Sequence, residues 1–304
     1  MYAQLFGNYL ISNNLVTKDQ LIKAMELAST SSLKLEAKLI HSGLVSGKDI
    51  ESSLAEAENF GFEFSDVIVR DELIDISTLK GLDGYDAPRY LILGQCLVET
   101  GVFTWSSLEN AIVDYQSSTE IFELDIDPTK KKEVNQLIQD LFDMAGKPIT
   151  GDAVSYIELL FNNLSSYIGD DYTVLSPLSI TEYPINFCVL QSISGALCIN
   201  SYLDMDKDVS LAFASRYAKE EFTEFNDYVS AAIEDFLNLH NGLYIVNMSN
   251  EYNMELNLDP PFVSESGMLL DEEGTFLLPV VYPFGTLNFL INVQYAEVSD
   301  IELF

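Results

Sequence analysis

Three stretches in the first 120 residues carry the same punctuation, and that pattern leaves few options beyond paired short helices. They run from Leu5 to Met25, from Lys34 to Leu54 and from Ile92 to Ile112. In each, an amphipathic segment is broken by Asn14, Gly43 or Gly101, residue types that tolerate a left-handed helix C-cap. Thr17, Ser46 or Thr104 follows three residues later, where a second helix needs an N-cap. Apolar residues then recur at helical spacing, as at Leu21, Ala24, Met25 and Ala28. Residues 58–89 lie between the second and third copies. FGFEFSDVIVRDELIDI is expected to give a strand and a short helix, and the rest reads as connector.

The chain divides into a helical repeat domain over 1–120, a linker and connecting helix over 121–150, and an α+β domain over 151–304. The segment STEIFELDIDPTKKKEVN holds Pro128 and the lysine run Lys130 to Lys132, and is read as linker and solvated helix start. Beyond it, helices are expected over Glu133 to Ala145, Asp152 to Tyr167, Asp208 to Ala218 and Phe225 to Leu239. Strands are expected over Ile185 to Ser192, Ala196 to Tyr202, Tyr252 to Leu258, Gly274 to Tyr282 and Leu287 to Val293. This order favours long helices over an antiparallel sheet in two similar halves. Ile157 to Asn162 aligns with Ile233 to Asn238 without a gap, as an internal duplication would produce.

Charge limits the partners. The net charge is −33, with −10 over residues 1–120 and −23 over 121–304. A field of that sign repels nucleic acid and anionic lipid, so neither is an expected partner. No uncharged apolar run is long enough to span a membrane. Cys96, Cys188 and Cys198 are sparse and odd in number, which fits reduced thiols and a cytoplasmic location. Cys188 and Cys198 read as core residues. With two separated histidines and no CxxC, no metal site is expected, and no phosphate-binding loop or nucleophile elbow appears.

The N-terminal repeats resemble the N-terminal domain of type II secretion and pilus ATPases, the MshEN type. Some members bind cyclic di-GMP through a motif close to RLGxxLxxxGxxxxxxLxxxLxxQ. The structural positions match, but the motif arginine falls on Leu5, Lys34 and Ile92, and the glutamine on Ala28, Ala57 and Tyr115. Leu and Ile cannot supply arginine's planar fork. Lys34 is the one weak candidate for a ligand contact. Cyclic di-GMP binding is therefore not expected, and a helical docking module is preferred.

The second domain carries AIEDFLNLHNG, followed by Pro261 after 22 intervening residues from Asn238. Chemotaxis phosphatases of the CheC and CheX type carry ExxN on a helix, often followed by Gly, with a Pro at that interval. The stretch from Asp152 to Gln294 is similar to that family. The resemblance implies hydrolysis of the aspartyl phosphate of a CheY-like response regulator. Asn238 would position water, and a carboxylate would pair with a receiver lysine. Gly242 and Pro261 would hold structural positions. Mg²⁺ would sit on the receiver, with no cofactor of the chain's own.

Asp235 stands where the family has Glu and is one methylene shorter, so Glu234, four residues before Asn238, is an alternative carboxylate. In the first half Glu158 and Asn162 repeat the four-residue offset and form a second, weaker candidate site; one working site is favoured over two. His240 is read as a helix-end residue. A phosphatase is preferred to a non-enzymatic adaptor that binds a receiver or motor component, and a homodimer is possible.

Overall fold

The computed structural model describes residues 2–85, 87–118, 131–270 and 274–295. It falls into two compact units, Met1–Asp125 and Ile126–Phe304. Of the expected linker and connecting helix over 121–150, residues 121–130 lie outside the described residues, as do the side chains of the lysine run Lys130 to Lys132.

The described part of the first unit is helical: α1 (Tyr2–Ser12), α2 (Lys18–Ala28), α3 (Leu35–His41), α4 (Gly47–Phe60), α5 (Phe64–Arg70), α6 (Ile76–Gly81), α7 (Tyr90–Glu99) and α8 (Trp105–Ser118). These form four pairs. A left-handed residue ends the first helix of each pair: Asn14, Gly43, Glu72 and Gly101, each 29 residues after the last. The next residue donates its N–H back over the turn in every copy, from Leu15 to Leu10, Leu44 to Leu39, Leu73 to Ile68 and Val102 to Leu97. Those four accepting residues are all fully buried. Thr17, Ser46 and Asp75 then cap the second helix through their side chains, and Thr104 Oγ1 accepts from Ser107 N.

The strand expected within 58–89 is therefore absent, and a further helix pair, α5 and α6, stands in its place. Glu72 pays no heed to the usual Gly or Asn preference, yet the Leu73-to-Ile68 bond and buried Ile68 repeat the neighbouring pairs.

The second unit opens with α9 (Lys131–Met144) and α10 (Gly151–Asn163), which continues as a π-helical turn over Leu164–Ile168. Then come β1 (Thr173–Val174), β2 (Leu178–Ser179), β3 (Glu182–Ile185), β4 (Phe187–Gly195), β5 (Leu197–Met205) and α11 (Lys207–Ala218). The second half is α12 (Asp227–Tyr252), β6 (Leu256–Leu258), β7 (Phe262–Ser264), β8 (Gly267–Leu270), β9 (Phe276–Tyr282) and β10 (Gly285–Tyr295).

All strand pairings are antiparallel, in the order β1-β9-β10-β5-β4-β6, with β2 also on β9 and β7 also on β4. Each half thus lends its short strands to the other half's long hairpin, and β5 meets β10 at the centre. The topology has twofold pseudosymmetry, as the aligned helices α10 and α12 imply.

Strand alternation separates two cores. Phe187, Val189 and Ile193 of β4 join the main core with α9 to α12. Cys188 and Leu190 point to the other face, where Tyr183, Ile185 and Leu269 of the β3–β8 pair cover them. Cys188 is buried as expected, but Cys198 is only partly so, because Leu197 and Ile199 on either side take the core-facing positions.

Candidate functional site

The 26-residue helix α12 carries the motif. Asn226 caps it, accepting from the N–H groups of Tyr228 and Val229, and Asn253 ends it in the left-handed region. Asn238 is thus near the middle of the helix, and His240, expected at a helix end, is interior too; the helix expected to stop at Leu239 runs on through Gly242 to Tyr252. Gly242 does not stop the helix because the tertiary face continues past it through buried Tyr244 and Met248. A Cβ at Gly242 would meet nothing within 4 Å. The glycine leaves open surface one turn beyond Asn238.

Asn238 is exposed, and so is Asp235 one turn before it, while Glu234 is half-buried. The two acids have different tethers. Tyr217 of α11 donates its hydroxyl to Asp235 Oδ2 at 2.6 Å. Burial, and then the bond to Asp235, raise the Tyr217 phenol well above its ordinary value, so it remains a donor at neutral pH. Ser230 donates to Glu234 Oε1 at 3.0 Å, one turn back on the same helix.

Beneath Asn238 lies a polar network that the sequence reading did not include. Gln191 of β4 is 1% exposed and faces α12 between the core residues Val189 and Ile193. Its Nε2 donates to Asn238 Oδ1 at 2.8 Å and to the Asp259 carbonyl at 2.9 Å. Its Oε1 accepts from Asn241 Nδ2 at 2.9 Å. Asn241, fully buried, also donates to Ser201 Oγ at 3.0 Å and accepts from the Tyr156 hydroxyl at 2.6 Å. One signal was legible: a glutamine in the otherwise apolar core-facing register Phe187, Val189, Ile193 of its strand.

Asp259 precedes Pro260 and Pro261, which join β6 to β7, and both of those strands pair with β4. Pro261 therefore sits in the edge segment whose Asp259 carbonyl shares the Gln191 amide with Asn238. Neither proline has an N–H to leave unpaired there.

His240 points inward and is fully buried; its Nδ1 lies 3.1 Å from Asn163 Nδ2 and its ring meets that of Tyr156 at 4.5 Å. Burial pushes it down to about 3, so it is neutral near pH 7. It faces away from Asn238's solvent side.

The second candidate pair, Glu158 and Asn162, comes together in a cleft between α10 and α12. Ser155, Asn247, Glu251 and Tyr252 are among the other residues that line it, so the long C-terminal half of α12 brings a further carboxylate to this pair. In the first unit, the Lys34 ammonium pairs with Glu99 at 2.7 Å, and its main-chain N–H donates to Gln95. Of the positions aligned with the motif glutamine, Ala57 and Tyr115 are buried. Among the described residues no cluster of three metal-ligating side chains occurs, and no helix is long and apolar enough to cross a membrane.

No protein-family model and no curated protein matches the chain. Among solved structures, the chain is similar to a chemotaxis protein CheX from Desulfovibrio desulfuricans, at 13% identity over 48% of this chain and 100% of that one, with a TM-score of 0.42. It is similar to chemotaxis protein CheX from Vibrio vulnificus, at 14% identity over 48% and 100%, with a TM-score of 0.41. A third is CheX from Borrelia burgdorferi, in complex with CheY, BeF₃ and Mg²⁺, at 17% identity over 46% and 95%, with a TM-score of 0.37.

Proposed function

We propose that the second unit hydrolyses the aspartyl phosphate of a CheY-like receiver, with Asn238 as the residue that orients water. The observation that carries this reading is the disposition of Asn238. Its amide oxygen is held from below by Gln191, which directs the NH₂ group outward on an exposed helix face, with Asp235 one turn away. An aspartyl phosphate needs little covalent help to hydrolyse; it needs a water aligned opposite the leaving carboxylate. The receiver brings the phosphoryl group and Mg²⁺. The Asn238 amide holds the water by hydrogen bonding, its NH₂ donating to the water oxygen and thereby fixing where the lone pair points.

Asp235 is the carboxylate of choice over Glu234, because it is exposed on the face that Asn238 shares. Tyr217 occupies Oδ2, and Oδ1 remains to pair with a receiver lysine. The same bond favours a second reading. A carboxylate already tied to Tyr217 reaches less far than the family's Glu, and the domain would then bind receivers without dephosphorylating them. The two readings separate in one assay, the decay of a phosphorylated CheY-like receiver with wild-type protein and with Asn238→Ala. Acceleration lost in the variant supports the phosphatase; binding with unchanged decay supports the adaptor.

A further inference from the structure

The geometry points to Gln191 as a positioning residue for Asn238, and to its presence in only one half as the reason the domain has one working site. This inference rests on the phosphatase reading. An exposed asparagine on a helix turns freely about its side-chain bonds, and its amide presents either end. Here the choice is removed. Asn241 accepts from Tyr156 and donates to Ser201 and to Gln191 Oε1. Gln191 must therefore present its NH₂ group on the other side, where both hydrogens are used, one on the Asp259 carbonyl and one on Asn238 Oδ1. With its oxygen taken from below, Asn238 directs its own NH₂ group to solvent. The orientation of an exposed side chain is thus set by a chain of buried donors and acceptors running back to Tyr156 of α10.

The pseudosymmetry supplies the comparison. In one half Leu175 N–H donates to the Pro279 carbonyl at 2.9 Å; in the other, Asp259 N–H donates to the Ser192 carbonyl at 3.0 Å. Ser192 is thereby the counterpart of Pro279, and Gln191 the counterpart of Leu278, which is fully buried. A leucine neither donates nor accepts. The helix alignment that pairs Asn162 with Asn238 pairs Ser165 with Asn241, and Ser165 is exposed rather than part of a buried network. Asn162 has the motif's residue type without the support that orients it.

The test measures dephosphorylation of a CheY-like receiver, phosphorylated in the presence of Mg²⁺, over a range of receiver concentrations. Gln191→Met keeps length and removes the donor. Its kcat should fall on the order of ten- to a hundredfold with KM unchanged, because binding surface is intact and only alignment is lost. Gln191→Glu keeps length and donates only when protonated, so its kcat should recover as pH falls, relative to wild type. A merely structural role would depress kcat equally at all pH values or raise KM. Acceleration lost in Asn238→Ala but kept in both Gln191 variants overturns this inference and leaves the phosphatase reading standing. No acceleration by wild type overturns both.

Discussion

The main-chain N–H of Gly47 donates to the Glu109 carboxylate at 2.8 Å. Across the same junction Ser106 N–H donates to Glu51 at 2.7 Å. The N-termini of α4 and α8 thus face each other, and each helix supplies the acid that satisfies the other's free amide. The approach is close: a Cβ on Gly47 would lie 2.5 Å from the Trp105 carbonyl oxygen.

Replacement of Gly47 is therefore expected to force the two helices apart. Gly47→Ala should cost about 1–3 kcal/mol, since the atoms met are backbone and cannot swing away. Glu51→Ala should cost about 1 kcal/mol through the lost cap. Chemical denaturation of the full chain, followed by a probe in the first unit, checks both; equal midpoints for Gly47→Ala and wild type would contradict the packing described.

The Glu51 carboxyl is held below its ordinary value chiefly by the Ser106 N–H. Its folded pKa is lower than its unfolded one. Its contribution is thus complete above the ordinary glutamate range and disappears as pH falls through the folded value. The first unit's midpoint should drop on acidification below about pH 4, and less steeply in Glu51→Gln than in wild type.

His240 gives the second unit a separate dependence. Its folded pKa, near 3, lies below the unfolded value. Between that value and about 6.5 the unfolded chain binds a proton that the folded one does not, so stability falls as pH is lowered through this window and is complete above it. Thermal midpoints measured from pH 7.5 to 4.5 should decline in wild type and flatten in His240→Gln. The same neutrality predicts that the imidazole does not titrate in the folded protein between pH 8 and 5, as ring-proton NMR shifts would show.

How far these elements were legible in the chain depended on length and on local chemistry. Asn14, Gly43 and Gly101 announced helix pairs because their residue types are the ones that accept a left-handed turn. Glu72 holds the same conformation without being one of them, so the pair formed by α5 and α6 stayed hidden, although Asp75 stands at the capping position. The long strands β4, β5, β9 and β10 showed through their β-branched and aromatic runs. The short strands β1, β2, β3, β7 and β8 did not, because two to four residues carry no periodicity and their pairing is decided by the other half of the domain. The helix expected to end at Leu239 continues to Tyr252, because burial of Tyr244 and Met248 overrides the low local helix preference of Gly242. Of the candidate site, Asn238 and Asp235 were visible as a spacing, whereas Gln191 lies 47 residues away and joins them only through the fold.

Asp235 should act on binding rather than on the chemical step. Asp235→Ala is expected to raise KM for the phosphorylated receiver on the order of tenfold, with kcat little changed, because a lysine partner would lose its ion pair. Tyr217→Phe releases Oδ2 and should leave KM equal or lower. A fall in kcat alone for Asp235→Ala would assign this carboxylate a different task.

The most direct measurement is the decay of a phosphorylated CheY-like receiver with Mg²⁺ present, alone, with wild-type protein and with Asn238→Ala. Wild type is expected to accelerate decay, and the variant, folded and still bound to the receiver, to leave it at the receiver's own rate. Acceleration by Asn238→Ala equal to that of wild type, or a receiver that binds wild type and decays no faster, would contradict it.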